Sequence, residues 1–217
     1  MIIVAPAAPS DVGAAAVVLA EAFADDPVTA PLVGGGEPAD RQARLEHLFV
    51  ALLRPAVADA TVDLARHPGD PDVLGVAIWE APGTVTSVVQ LAAQLPSFAR
   101  ACGIGGLLRA ASTKHAIDRH RPRSPHWYLQ EVGVAARARG AGVGTALLRS
   151  RLAVVDAQDA AAHLESSTEQ NRRLYRRHGF VDVGPVRGLA SPPMVMSRPP
   201  ASRRAGAGAA ATRSATV

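Results

Sequence analysis

The stretch Arg139-Gly140-Ala141-Gly142-Val143-Gly144 lies between a strand-like run, residues 127–134, and an apolar-periodic helix that begins near Gly142. A glycine loop in that place points backbone N–H groups outward, and the first N–H groups of the helix have no intrahelical acceptor. The helix dipole adds partial positive charge at the same end. The stretch therefore predicts an anion-binding loop that suits a pyrophosphate.

The glycine spacing separates this loop from two common phosphate-binding motifs. A dinucleotide fingerprint has glycines at its first, third and sixth positions, but the sixth position counted from Gly140 is Thr145. A Walker loop has Lys after its last glycine, and no Lys follows Gly144. Two interpretations remain from the loop alone: a phosphate loop of another class, or a glycine-rich turn without a ligand.

Composition indicates a cytoplasmic globular protein. The chain has 217 residues, 48% of them hydrophobic, which fits one domain. It has no apolar run of the ~18 residues that a membrane span requires, and residues 1–9 do not read as a signal peptide. The single cysteine, Cys102, fits a reducing compartment and is expected to be a buried apolar side chain.

Charge is distributed unevenly along the chain. The net charge is +4, and the four arginines of residues 198–217 account for it. Residues 1–80 hold twelve acids and four arginines, a balance of −8, whereas arginines cluster near the glycine loop and around Asn171. Few aromatic residues accompany those arginines, so a small polyanion suits them at least as well as nucleic acid. We expect no nucleic-acid or membrane partner.

Hydrophobic periodicity predicts a chain of alternating helices and strands, with residues 1–198 as the domain and residues 199–217 as a disordered basic tail. The short helix before Gly179 is expected to carry a capping box from Ser167 to Gln170. The predicted elements are strand 2–4, a helix capped by Ser10 or Asp11, helix 41–58, strands 61–66 and 73–80, two or three helices as an insert within about 84–120, strand 126–134, a helix from Gly142, strand 162–166, a helix capped by Ser167 or Thr168, and strands 180–186 and 194–197.

A second group of polar residues follows the glycine loop. Asn171 and Tyr175 are four residues apart and share one face of the short helix, which Leu174 can anchor to the core. Residues 164–167 and 171–180 follow the loop in the order and at the interval seen in the GNAT superfamily of N-acetyltransferases, which the chain resembles.

The resemblance is closest to the puromycin N-acetyltransferase group. It is carried by Ala20-Glu21-Ala22-Phe23-Ala24-Asp25-Asp26-Pro27, Val76-Ala77-Ile78-Trp79, His120-Arg121-Pro122 and Trp127-Tyr128-Leu129, and it spans about residues 3–198. It implies an α/β (α+β) GNAT fold, in which helices flank a mixed, mostly antiparallel sheet and two parallel strands splay apart to admit acetyl-CoA as co-substrate. It assigns cofactor binding to Val132, Gly133, Val134, Arg139, Gly140, Ala141, Gly142, Val143, Gly144, Thr145 and Asn171.

The chemistry that this resemblance implies is direct attack of a neutral amine on the thioester, without an acyl-enzyme. A free N–H at Val134 would stabilise the thioester oxygen. The hydroxyl of Tyr175, which titrates near ~10 when unperturbed, is the candidate acid for a thiolate whose conjugate acid titrates near ~8.5. Tyr128 stands where the best-defined members have a glutamate, so the base is open.

Glu131 and Glu165 are the nearby carboxylates. Strand alternation would put Glu131 and Tyr128 on opposite faces unless a bulge intervenes, so Glu165 is the preferred candidate base. A structural role for Glu165, and deprotonation through water, are the alternatives.

The acceptor is expected to be a primary amine of a small molecule, such as an aminonucleoside or other antibiotic, with resistance as the role. Phe23, Asp26, Trp79 and Tyr128 are the candidate substrate contacts. Two other functions stay open: protein or peptide N-acetylation, and a non-catalytic acyl-CoA-binding regulatory domain. The protein is expected to be a monomer or a homodimer. His115, His120 and His126 lack metal-ligand spacing, so no metal is predicted.

Overall fold

A computed structural model describes residues 1–84 and 88–205, with the side chains of residues 88–91 excluded. The strands are β1 (Ile3–Pro6), β2 (Val62–Arg66), β3 (Gly75–Glu80), β4 (His126–Val134), β5 (Ala161–Ser166), β6 (Val181–Pro185) and β7 (Met194–Arg198). The helices are α1 (Val12–Ala22), α2 (Ala30–Val33), α3 (Pro38–Ala58), α4 (Val88–Asp118), α5 (Val143–Ala157) and α6 (Glu169–Arg177).

The seven strands form one mixed sheet in the order β1-β2-β3-β4-β5-β7-β6. The β4–β5 pair is parallel and the other five pairs are antiparallel. A parallel pair needs a crossover connection, which α5 provides after the glycine loop. The mixed, mostly antiparallel sheet flanked by helices is the fold that was predicted.

Each face of the sheet buries its own core. On one face, α1, α3 and α4 pack on the sheet around Leu19, Phe49 and Ile78. On the other, α5 and α6 pack around Trp79 and Leu147. Each fully buried side chain of this size contributes ~1.5–3 kcal/mol to folding. The two cores hold the sheet rigid on both sides of the β4–β5 junction.

The predicted helical insert is one long element with a break. α4 runs from Val88 to Asp118, and Gly103 inside it has φ 61° and ψ 178°, which divides it into two helices. A positive φ of this kind suits glycine, because it has no Cβ to clash. The prediction of two or three helices therefore holds within the described residues. Residues 85–87 of that predicted region lie outside the described part of the chain.

The chain remains ordered beyond β7. Residues 201–205 are helical, Ser202 Oγ donates to Asp159 Oδ2 at 2.7 Å, and Arg204 contacts Asp156. Arg198 also pairs with Asp156, at 2.6 Å, while its side chain is 5% exposed. The prediction of disorder is therefore wrong for residues 201–205, because acids at the end of α5 bind this segment. Residues 206–217 of the predicted tail lie outside the described residues.

None of the helices in the described residues combines the length and the apolarity that crossing a membrane would need.

Candidate active site

The parallel strands β4 and β5 pair at one end and diverge at the other. Their register pairs His126 with Ala161, Trp127 with Ala162 and Tyr128 with His163, and no further β4–β5 pair follows in the described residues. The gap beyond these pairs is a cleft of about 330 Å³. Its lining residues are Phe23, Leu129, Gln130, Glu131, Val132, Leu164, Glu165, Ser166, Ser167, Asn171 and Tyr175.

The glycine loop connects β4 to α5. Gly140 and Gly142 have φ values of 80° and 82°, and Gly142 is the N-cap residue of α5. A Cβ at either glycine would meet open space, so backbone conformation is what requires glycine there. The carbonyl of Gly142 accepts the first helical bond, from Ala146 N–H, so the N–H groups of Val143, Gly144 and Thr145 point out of the helix N-terminus. Arg139 is exposed beside them.

The end of β4 presents backbone groups to the cleft. Ala135 N–H donates to the Leu74 carbonyl at 2.9 Å, so alternate residues of β4 bond the neighbouring strand β3. The N–H groups of Val132 and Val134 therefore point the other way, toward the gap beside β5. Gly133 lies against α1, since a Cβ on it would be 2.9 Å from the side chains of Leu19 and Ala22. This close approach explains a glycine inside a strand.

Helix α6 forms the opposite wall of the cleft. Thr168 is its N-cap, and the Thr168 Oγ1 accepts from Asn171 N–H at 3.2 Å. Of the two predicted caps, Thr168 is therefore confirmed, and the predicted capping box from Ser167 to Gln170 is wrong. Asn171 and Tyr175 both line the cleft, as their shared face predicted. Leu174 packs against the glycine loop, because a Cβ on Gly144 would lie 3.3 Å from it.

A β-bulge changes the direction of side chains along β4. Ile78 pairs with Glu131 but Trp79 pairs with Leu129, so Gln130 is the extra residue. Ile78 belongs to the core under α1 and Trp79 to the core under α5. Directly paired residues share a face, so Tyr128 and Glu131 both project on the α1 side of the sheet. β4 therefore contains the bulge that the sequence analysis named as the exception to strand alternation.

The carboxylate of Glu165 is held by its neighbours. Tyr128 Oη donates to Glu165 Oε2 at 2.7 Å, and His163 Nε2 lies 3.1 Å from Glu165 Oε1. The side chain of Glu165 is 4% exposed. Arg121 stacks 3.5 Å above the ring of Tyr128 and pairs with Glu80 at 2.8 Å. Both oxygens of Glu165 are therefore engaged in a buried polar network.

Glu131 faces Tyr175 across the cleft. Its surroundings compensate less for the burial of a charge than those of Glu165 do. Burial first, and then the charges of Asp26 and Glu165, raise the pKa of Glu131 to about 8. Burial, together with the charges of Glu131 and Asp26, also raises the pKa of Tyr175 above its ordinary value. Tyr175 consequently keeps its proton at neutral pH, and Glu131 changes its charge within the physiological range.

The four candidate substrate contacts occupy different positions. Phe23 lines the cleft, and Tyr128 is buried beside it in contact with Glu165. Asp26 lies at the cleft mouth, where its Oδ2 accepts from Ser167 Oγ at 2.5 Å. Trp79 is fully buried in the core under α5, on the other face of the sheet, so the structure does not bring it to the cleft.

Several arginines that were expected to suit a small polyanion form salt bridges with acidic side chains instead. Arg137 lies 3.1 Å from Asp72, and Arg176 binds both Glu169 and Asp182. These are exposed ion pairs, which contribute little to stability. Arg139, in contrast, is exposed beside the loop backbone at this end of the cleft.

Three residues of the site were not predicted from the sequence: His163, Arg121 as a partner of Tyr128, and Ser167 as a partner of Asp26. Alternation along β5 puts His163 on the same face as Glu165, which was a usable signal. Ser167 and Asp26 are 141 residues apart in the chain, so no local pattern indicates their contact.

Comparisons with known proteins agree with this geometry. The model of an acetyltransferase (GNAT) domain matches residues 96–182. A structure from Corynebacterium glutamicum, described as histone acetyltransferase HPA2 and related acetyltransferase, is 28% identical with a TM-score of 0.67, over 92% of this chain and 97% of that one.

Two more distant structures share the fold. The PaiA N-acetyltransferase of Thermoplasma acidophilum, solved with coenzyme A, is 9% identical with a TM-score of 0.57, over 92% of this chain and 99% of that one. The polyamine N-acetyltransferase of Drosophila melanogaster is 17% identical with a TM-score of 0.57, over 91% of this chain and 98% of that one.

The chain therefore carries a GNAT acetyltransferase domain, matched over residues 96–182, in a GNAT fold. Enzymes of this class use acetyl-CoA as the acetyl donor, which agrees with the predicted co-substrate.

Proposed function

We propose that this enzyme transfers the acetyl group of acetyl-CoA directly to the primary amine of a small molecule. The observation that carries the proposal is the cleft between β4 and β5, which joins an anion-binding loop at one end to Glu131, Tyr175 and Phe23 at the other. Donor and acceptor sites then meet where the strands diverge.

The donor would lie along the free edge of β4. The pantetheine amides suit the outward backbone groups of Val132 and Val134, on either side of Gly133, and Asn171 on α6 can bond the same arm from the other side. The pyrophosphate suits the loop from Arg139 to Thr145, where outward N–H groups and the α5 dipole coincide. This orientation directs the thioester into the cleft.

Three groups would then perform the transfer. The N–H of Val132, which lines the cleft next to Glu131, would donate to the thioester oxygen as that oxygen gains charge, in place of the Val134 N–H expected from the sequence. The neutral amine attacks the carbonyl carbon, and the C–S bond breaks as Tyr175 donates its proton to the departing sulfur. The proton that the new amide nitrogen loses then returns Tyr175 to its neutral form. The remaining task is removal of a proton from the ammonium form of the acceptor.

Glu131 is the better candidate for that base. The two oxygens of Glu165 already bind Tyr128 and His163, which supports a positioning role for Glu165. Glu131 lines the cleft with a pKa raised to about 8, close to the working pH at which a general base is most effective. The sequence preference for Glu165 is thereby replaced by Glu131 in this proposal.

The acceptor is proposed to be a cationic amine with a compact apolar body. Asp26 and Glu165 give this end negative charge, and Phe23 offers an aromatic surface. The resemblance to the puromycin N-acetyltransferase group supports an aminonucleoside or another antibiotic amine, with resistance as the role. A cytoplasmic location, where acetyl-CoA is supplied, belongs to the same proposal.

A peptide or protein amine is the second candidate. It is favoured by the similarity to the Corynebacterium glutamicum structure, which is described as histone acetyltransferase HPA2 and related acetyltransferase. We rank a peptide below a small molecule because the lining of the cleft brings the aromatic ring of Phe23 and the carboxyl groups of Glu131 and Glu165 together at one end, which suits a compact amine.

The test is thiol release from acetyl-CoA against a panel containing puromycin, phenethylamine, spermidine, a lysine peptide and a peptide with a free N-terminus. We expect turnover with a small amine and formation of its N-acetyl product. Turnover restricted to peptides would overturn the small-molecule proposal. CoA binding without turnover across the panel would favour a regulatory acyl-CoA-binding domain.

A further inference from the structure

We propose that the hydrogen bond from Ser167 to Asp26 is a strap across the cleft. It fixes the segment that follows α1, residues 23–30, which we call the acceptor wall, to the wall that carries Asn171 and Tyr175. Ser167 and Asp26 are then positioning residues for acetyl transfer. The inference rests on the proposed function, but it concerns two residues that do not take part in the chemistry.

The strap joins elements that are far apart in the chain. Asp26 lies between α1 and α2, and Ser167 lies between β5 and α6. Ser167 Oγ donates to Asp26 Oδ2 at 2.5 Å across the cleft mouth, and the bond is partly buried. A hydroxyl that donates to a carboxylate forms one of the stronger side-chain hydrogen bonds.

The Asp26 end of the strap is rigid. Its other oxygen, Oδ1, accepts from Val28 N–H and Thr29 N–H, each at 2.9 Å. These bonds hold the start of the segment that leads into α2, and Phe23 of the cleft lining lies three residues before Asp26. Fixing Asp26 therefore also fixes the part of the acceptor wall that follows α1.

The Ser167 end controls the direction of α6. The next residue, Thr168, caps that helix, and Asn171 and Tyr175 project from it into the cleft. α6 has only nine residues, of which Leu174 packs on Gly144 and Tyr175 packs against Phe180. A shift at Ser167 would therefore be carried to the hydroxyl of Tyr175.

The strap also fixes a charge. Asp26, from the α1–α2 loop, and Glu165, from β5, are the charges that raise the pKa of Glu131, while the protonated Tyr175 faces Glu131 from α6. Holding Asp26 in place keeps Glu131 protonated to a higher pH. The strap thus has an electrostatic consequence that a purely mechanical contact would lack.

A double-mutant cycle tests the strap. Ser167→Ala should lower kcat/KM by ~10-fold, mainly in kcat. Asp26→Asn should lower it by at least as much, because it removes a charge as well as the carboxylate that accepts from Ser167. Adding Ser167→Ala to Asp26→Asn should then cost far less than it does in the wild type, because the shared bond is already gone. Ser167→Thr, which keeps the hydroxyl, should restore most activity. Ser202→Ala removes another serine–aspartate bond, to Asp159 at the protein surface, and should leave kcat/KM unchanged.

Two further measurements on the Ser167→Ala variant distinguish a positioning role of the strap from a general loss of protein stability. In Ser167→Ala, the rise of kcat/KM with pH should move to lower pH, because Asp26 no longer holds its charge beside Glu131. Amide hydrogen exchange of residues 23–30 and 166–171 should be faster than in the wild type, while the Ser202→Ala control should match the wild type in both.

A double variant whose loss is the product of the two single losses would overturn the strap, as would exchange and pH profiles unchanged in Ser167→Ala. Hydrogen exchange requires no turnover. It therefore tests the strap even if the wild type acetylates no amine in the panel, which would instead contradict the proposed function.

Discussion

The proposed donor side and the proposed acceptor side of the cleft are built in different ways. The donor side uses backbone groups from one continuous stretch, the end of β4, the glycine loop and the start of α5. The acceptor side uses side chains from α1, β4, β5, α6 and the loops between them. Damage to the donor side should therefore weaken acetyl-CoA binding, whereas damage to the acceptor side should slow the transfer.

The largest effect is expected on the acceptor side, at the proposed base. Glu131→Gln should lower kcat by ~1,000-fold at pH 7.5, because proton removal by a positioned base contributes 10²–10⁴-fold. In the wild type, kcat/KM should rise with pH through a pKa of about 8, since Glu131 must be ionised to accept a proton. Initial rates between pH 6 and 10 check both expectations. Glu165→Gln is the matched control and should lose far less activity, with the rise of kcat/KM moved to lower pH because the charge of Glu165 helps raise the pKa of Glu131. The opposite ranking of the two losses would make Glu165 the base.

The next effect concerns the leaving thiolate. Tyr175→Phe should lower kcat by ~100-fold with little change in the KM for acetyl-CoA, because the ring still packs against Phe180 while the proton donor is lost. Steady-state kinetics with a thiol-reactive dye measure both constants. Full activity in Tyr175→Phe would show that another group protonates the sulfur.

A substitution in the glycine loop probes the donor side. Gly142→Ala should raise the KM for acetyl-CoA by ~10-fold with a smaller change in kcat, because a Cβ is unfavourable at φ 82° and displaces the N–H groups behind it. Gly69→Ala is a matched control, with φ 75° and open space around it, in the turn between β2 and β3.

Both loop variants should lose ~1–2 kcal/mol of stability, and only Gly142→Ala should affect KM. Equal KM values in the two variants would remove the loop from the donor site.

The smallest expected effect is on stability at the acceptor side. The pKa of Glu131 is higher in the folded state than in the unfolded state. The contribution of Glu131 to the free energy of unfolding is therefore favourable below the unfolded-state pKa and is lost as pH rises through about 8. Glu131→Gln should therefore increase the free energy of unfolding at pH 9 by roughly 1–3 kcal/mol, and hardly at pH 5. Urea denaturation at the two pH values is the measurement. If the Glu131→Gln variant is inactive but its free energy of unfolding at pH 9 does not increase, the carboxylate of Glu131 is well solvated in the wild type.

The same contrast explains what the sequence could predict. The donor side depends on local rules: glycines at positive φ, a helix N-terminus, and residues four apart on one helix face. The strand and loop boundaries there were accordingly predicted within a residue or two. The sequence could not predict whether β4 has a bulge at Gln130, because one extra residue in a strand leaves no recognisable pattern in the sequence.

On the acceptor side, long-range contacts decide which groups are available. Trp79 was expected at the substrate but packs in the core under α5, since its neighbour on β3, Ile78, takes the other face. Glu165 was preferred as base before its bonds to Tyr128 and His163 were visible. The bond between Asp26 and Ser167 spans 141 residues and had no signal in the sequence.

The most direct measurement is a crystal structure of the enzyme with acetyl-CoA. Our account predicts the pyrophosphate on the N–H groups of residues 140–145, the pantetheine along residues 132–134, and the thioester between β4 and β5, within reach of Tyr175 and facing Glu131. Acetyl-CoA bound outside this cleft, or with its thioester directed away from Glu131 and Tyr175, would contradict it.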